Sequence, residues 1–215
     1  MSHIHIPDGV LPVWLWAGAF VLMALLVLFG LVRLGLERRR FLPTAATVAA
    51  LCIVAMSIEL GFYHFNLTGL AGILIPPFLT PLVAFIINFV LALMGHGGIT
   101  VVGLNSLVTA LEMTVAGLIF RTLSRRWKPS RSAWLATFVA LAVSTTLVLA
   151  LVLFLRSGGY AVQMEVMERF TVSESLIVIL VYGVAIIGWV LEATLVSLLI
   201  NLVARVRPQM LEVWK

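Results

Sequence analysis

The chain begins Met1-Ser2-His3-Ile4-His5-Ile6-Pro7-Asp8-Gly9, and two of its four histidines stand in that stretch. Imidazole is the commonest protein ligand for nickel, cobalt, copper and zinc. A histidine close to a free α-amine adds to this. Amine, deprotonated backbone amide and imidazole can close small chelate rings around one ion, and nitrogen donors in a plane suit Ni(II) or Cu(II). If Met1 is removed, Ser2 and His3 supply amine and imidazole from adjacent residues. If Met1 stays, His3 stands third, which also favours a planar chelate. Pro7-Asp8-Gly9 predicts a turn that folds the terminus back, with Asp8 a turn residue rather than a ligand. The plainer alternative is a frayed hydrophilic tail.

The other two histidines are His64, flanked by Phe62, Tyr63 and Phe65 with Asn66 beside it, and His96, followed by Gly97-Gly98-Ile99-Thr100. His64 reads equally as a member of an interfacial aromatic belt. His96 reads equally as a helix cap, and the paired glycines after it allow close backbone approach. Three carboxylates lie in apolar surroundings: Glu59, Glu112 and Glu192. Glu59 is placed to accept from an imidazole and orient it. For Glu112 and Glu192, polar pairing inside the protein or at a subunit contact is the expectation, because a carboxylate in lipid is costly. Asn88, Asn105 and Asn201 need partners for the same reason.

The elements that must position these residues follow from composition. Of 215 residues 62% are hydrophobic and 11% charged, against roughly 25% charged in an ordinary soluble domain. A soluble chain of this length could not hide so much apolar surface. The composition excludes a soluble enzyme, a disordered chain and a nucleic-acid-binding module, and leaves one integral membrane domain over 1–215 in a multi-pass, all-α helical bundle. The apolar runs are about 11–36, 42–61, 69–79, 81–95, 99–123, 133–155 and 175–204. Pro76, Pro77 and Pro81 divide the third from the fourth, because proline removes a helical hydrogen bond and clashes with the preceding turn. The first run has no basic residue ahead of it and is long enough to span, so it reads as a retained helix rather than a signal peptide.

Twelve of the 14 Lys and Arg fall in 33–40, 121–131 and 205–215. Placing all three clusters in the cytoplasm puts the amino terminus outside and the carboxyl terminus inside, with about seven transmembrane elements. The 69–79 element is too short for a 30 Å span and is expected to be short or re-entrant. This topology sets all four histidines at the external ends of elements, and residues 1–10 become an external metal-binding segment. Residues 157–174, with Val162, Val166 and Phe170 at spacings of four, predict an amphipathic helix on the outer surface. The chain has no phosphate-binding Gly-rich loop ending in Lys, no HExxH and no Gly-x-Ser-x-Gly elbow. Its one cysteine, Cys52, reads as a buried structural thiol.

Several stretches together resemble one family. His5-Ile6-Pro7-Asp8-Gly9 resembles the amino-terminal signature of the CbiM/NikM proteins, the substrate-binding membrane subunits of energy-coupling-factor cobalt and nickel ABC transporters. His64 with Thr68-Gly69-Leu70, Ile73-Leu74 and Pro77 resembles that family's internal histidine segment. His96-Gly97-Gly98-Ile99-Thr100-Val101-Val102-Gly103-Leu104-Asn105 resembles its His-Gly-Gly stretch. Leu191-Glu192-Ala193 and Arg205-Val206-Arg207-Pro208 resemble its last helix and tail. The four pieces occur in the family's order over nearly the whole chain.

The resemblance implies a subunit that captures Ni(II) or Co(II) at the external face as transported substrate and is not an enzyme on its own. No cofactor of its own is implied. It also implies partners: a transmembrane coupling subunit, cytoplasmic ATPases and often a small accessory membrane protein. His5 and His64 map onto the family's site. One departure matters. In the family the signature histidine directly follows the terminal residue, whereas four residues precede His5 here. Either His3 takes over the chelate with the amine of Met1 or Ser2, with His5 and His64 completing the site, or the numbered start is not the mature one. The first reading is favoured, with His96, Glu59, Asn105 and Asn66 as a supporting shell. A membrane-embedded metalloenzyme and a structural subunit with incidental histidines are the competing classes.

Overall fold

The computed structural model describes residues 8–9, 11–35, 37–58, 64–158 and 174–211. Its helices are α1 Val13–Leu34, α2 Leu42–Ser57, α3 Thr68–Leu74, α4 Thr80–Leu93, α5 Val102–Ser124, α6 Pro129–Ser157 and α7 Glu174–Val206, with no strand among the described residues. Proline opens three of them. Pro43 and Pro81 occupy the first turns of α2 and α4, and Pro129 is the first residue of α6. There the missing N–H has no helical partner to lose. The predicted helix over 157–174 falls largely outside the described residues.

Among the described residues five helices are long and apolar enough to cross a membrane: α1, α2 with the turn before it, α5, α6 and α7. They are apolar on nearly every side, as helices in lipid must be. α1 shows the division of labour. Ala19, Met23 and Gly30 are buried on one face, while Val21, Leu25, Leu28 and Val32 are exposed on another. Both sets recur at helical spacing.

The proline-broken stretch departs from the expectation of a single short element. At 1.5 Å per residue, α3 is ~10 Å long and α4 ~21 Å, so neither reaches across ~30 Å of hydrocarbon. Ile75 is extended because Pro76 follows it. A single turn of 3₁₀ helix, Pro77–Leu79, then reverses the chain. The result is a re-entrant hairpin whose first arm, α3, is wholly buried, while α4 leaves Ile86, Phe89 and Leu93 exposed.

Contacts fix its direction. Thr80 and Thr114 share a hydrogen bond at 2.8 Å, and Asn88 Nδ2 donates to Thr109 Oγ1 at 3.0 Å, so α4 runs antiparallel to α5. α3 runs alongside α5 in the same sense. Thr68 bonds Glu112, and the backbone at Gly72 lies against that of Met113 and Gly117. The tip at Phe78 packs its carbonyl on Gly30, near the end of α1.

The long helices alternate. α6 and α7 are antiparallel, joined by Trp134 to Thr194, Thr146 to Tyr182 and Ser197 to the Ser130 carbonyl. Arg33, residues 121–131 and Arg205 therefore gather at one end of the bundle, as the charge pattern requires. Asp8 and His96 stand at the other.

Close approach of α3 to α5 depends on two glycines. A Cβ at Gly72 would collide with the Met113 backbone, and one at Gly117 with the Gly72 carbonyl oxygen. Ala116 and Gly117, small residues that allow helix contact in principle, are both buried, and Gly117 is used within the chain. Gly72→Val is expected to lower the melting temperature in detergent, by the ~1–3 kcal/mol typical of overpacking. Gly183→Ala, where the added Cβ meets nothing, is expected to leave it unchanged. Thermal unfolding of both variants checks this.

Candidate metal site and the segment that carries His64

Two pieces of chain carry the histidines that the sequence singles out for a metal site. One is the amino-terminal segment. Residues 1–7 lie outside the described residues, and with them His3, His5 and the terminal amine. The described part begins at Asp8, and Asp8 has a defined task. Its carboxylate accepts the N–H of Ile99 at 3.0 Å, the N–H of Thr100 at 2.8 Å and the hydroxyl of Thr100. The neighbouring turn is shaped for this contact. Gly97 has φ +81°, and a side chain at Gly98 would collide with the Asp8 carboxylate and backbone nitrogen. Asp8 thus acts as a turn and tether residue, as the sequence suggests, and the paired glycines after His96 admit it.

His96 itself is half-buried, and its backbone N–H caps the end of α4 on the Leu91 carbonyl at 2.9 Å. Asn105, in the first turn of α5, is buried and its carbonyl receives the Thr109 hydroxyl at 2.9 Å. Both therefore stand at the same end of the bundle as Asp8. Glu59 lies outside the described residues.

The second piece is 64–68. His64 and Phe65 are half-buried, and every residue from Asn66 to Pro76 is buried. Thr68 is level with Glu112, ten residues into α5, which is ~15 Å along the axis at 1.5 Å per residue. The segment that follows His64 therefore descends into the bundle. The sequence hides this because α3 is short and begins at depth.

Two carboxylates hold that segment. Glu192, from α7, accepts the Leu67 N–H at 3.0 Å on one oxygen and the Asn66 N–H at 3.3 Å on the other. Glu112, from α5, accepts the Thr68 hydroxyl on one oxygen and the Ser144 hydroxyl of α6 at 2.5 Å on the other. Both glutamates are 0% exposed. Leu67 sits between them at φ 57°, the one non-glycine residue with positive φ among the described residues, a conformation that costs roughly 1–2 kcal/mol. The Asn66 side chain, also fully buried, has neither its Nδ2 nor its Oδ1 hydrogen-bonded among the described residues. Sequence reasoning marked Glu112 and Glu192 as paired carboxylates but missed Thr68 and Ser144 as their donors and gave no sign of the left-handed Leu67. Among the described residues no three His, Cys, Asp or Glu side chains converge into a metal site.

The chain is similar to known proteins over nearly its full length. The family model for the CbiM cobalt uptake substrate-specific transmembrane region matches residues 5–210. CbiM 2 of Methanocorpusculum labreanum is 28% identical over 97% of this chain and 92% of its own length. The cobalt transport protein CbiM of Clostridium tetani is 28% identical over 74% of this chain and 70% of its own. Among solved structures, a truncated transition metal transporter superposes with a TM-score of 0.78 at 18% identity, covering 94% of this chain and 99% of its own.

The Asp8 tether is pH-dependent. The Thr100 hydroxyl bond is the largest influence, burial opposes it, and the two backbone N–H bonds add to it, so the carboxyl is held below its ordinary range. A carboxyl lowered in this way stabilises the folded arrangement above the ordinary carboxylate value near ~4, and that stabilisation is lost as pH falls through the lowered value. Amide hydrogen exchange at Ile99 and Thr100 is expected to be slow near neutral pH and several-fold faster in Asp8→Ala. Equal exchange in the two proteins at neutral pH would remove the tether.

Proposed function

We propose, from the premise that the chain belongs to the CbiM family of cobalt-uptake substrate-specific transmembrane proteins, that it captures Ni(II) or Co(II) as transported substrate for an energy-coupling-factor importer. What supports this reading is the family match over residues 5–210, together with one contact at the end of the bundle opposite the basic clusters. There Asp8 bonds the turn after His96.

In this reading residues 1–10 form the external metal-binding segment. His3 and His5, the amine of Met1 or Ser2, and His64 supply the nitrogen donors, in a planar set suited to Ni(II). Asn66, Asn105, His96 and Glu59 form the surrounding shell that orients imidazoles. The basic end faces the cytoplasm, where a coupling subunit, ATPases and a small accessory membrane subunit complete the importer. The chain performs no chemistry on the ion. It selects and holds it, and ATP hydrolysis on the partners drives release inward. Imidazoles must be neutral to ligate, so binding weakens as pH drops through about 6.5.

Titration of the purified protein with Ni(II) and with Co(II) tests this directly. Tight binding is expected, lost in His64→Ala, and lost in His3→Ala and on acetylation of the terminal amine. Binding that survives both terminal changes but not His5→Ala or His64→Ala would move the site away from the amine. No binding of either ion would end the transport reading.

A further inference from the structure

The bundle spends two fully buried carboxylates on three consecutive residues, Asn66, Leu67 and Thr68, which begin two positions after His64. A carboxylate inside a membrane bundle is costly and marks a function by default. We propose that Glu192 and Glu112 are positioning residues of the metal site. From α7 and α5 they hold the 66–68 backbone in the strained conformation that presents His64 to the ion. The proposal rests on the reading that His64 is a ligand.

The geometry favours this over simple backbone satisfaction in three ways. First, α3 has no side-chain cap of its own. A Glu or Gln at position 70 could accept the Leu67 N–H locally, but that residue is leucine, and the acceptor comes from a helix 125 positions away. Second, both oxygens of each carboxylate are used, and the two donors to Glu112 lie on different elements. Glu112 joins Thr68 at the start of α3 to Ser144 of α6, so the segment is fixed against three long helices at once. Third, Leu67 is held at φ 57°. Left-handed backbone in a leucine persists only where the surroundings over-determine it, and such residues cluster at functional sites. Between the clamp and His64 lies the buried Asn66 amide with both polar atoms unbonded among the described residues, which points to a group that the described residues do not supply.

A carboxylate suits the task better than an amide. Each of its oxygens accepts, so Glu192 takes the two backbone N–H groups together. A glutamine would offer one oxygen and turn its own N–H₂ toward the second donor. The substitutions therefore predict a graded series. Supporting groups around a metal site cost 10–100-fold in affinity when removed.

The test uses the purified full-length chain, with Ni(II) alone and Co(II) alone as probes. Glu192→Ala is expected to weaken binding about 10–100-fold, Glu192→Gln by less, and Thr68→Val, which removes one donor at nearly constant volume, by less again. The absorption bands of the bound ion are expected to shift in the same order, since they report ligand geometry, and amide exchange at Asn66 and Leu67 is expected to accelerate. Glu112→Gln serves where an alanine variant fails to fold. Variants that lose thermal stability while binding the ion with unchanged affinity and spectrum would overturn the positioning role and leave a structural one. His64→Ala separates the two levels. If it abolishes binding while folded Glu192→Gln and Thr68→Val bind as the parent does, only the positioning proposal fails. If His64→Ala binds normally, the site reading fails and takes the proposal with it.

Discussion

A buried backbone N–H in a bilayer has no water to turn to, and leaving one unmet costs free energy on the scale of a lost hydrogen bond or more. A full transmembrane helix keeps its open amides at its ends, near the headgroups. The hairpin of α3 and α4 cannot, because α3 starts at the level of Glu112, well inside the bundle. Much of the structure answers that one requirement. At the start of α3, Glu192 accepts two N–H groups and Glu112 a hydroxyl. At the tip, Pro76, Pro77 and Pro81 have no N–H to satisfy, and the Thr80 hydroxyl and Leu79 N–H find the Pro77 and Pro76 carbonyls. Along α3, Gly72 and Gly117 let the backbones of α3 and α5 meet without side chains between them. The long helices enclose what would otherwise be polar backbone in lipid.

The same requirement explains which features could be read in the sequence. Membrane insertion, helical class and the gathering of basic residues at one end were legible because they are compositional: long apolar runs and clustered arginines carry them. The hairpin was half legible. Pro76, Pro77 and Pro81 announced a break, but the shortness of α3 depends on where the segment after His64 leaves the surface, and no local pattern encodes depth. Glu112 and Glu192 could be recognised as carboxylates in need of partners. Their partners could not be named, because Thr68, Ser144 and two backbone amides are far from them in sequence and have nothing unusual about their own neighbours. Leu67 was illegible for a related reason. Leucine has no preference for positive φ, so its conformation is imposed by Glu192 and the helix that follows rather than chosen locally. Asp8 was legible as a turn residue because Pro-Asp-Gly has an intrinsic preference, although its acceptor role toward Ile99 and Thr100 needed the glycine pair ninety positions on.

The Asp8 tether and the clamp on Asn66–Thr68 are held in different ways, and the difference follows from solvent. Asp8 is exposed, so its bonds to Ile99 and Thr100 compete with water and respond to pH. The carboxylates behind His64 are buried, where a hydrogen bond faces no such competition and breaking one leaves a charged group unsatisfied. Opening free energies within one protein range from near zero at exposed segments up to the global value in the core. Local opening therefore reaches the Asp8 tether before it reaches the clamp on Asn66–Thr68. The segment that follows His64 is thus the more rigidly set of the two.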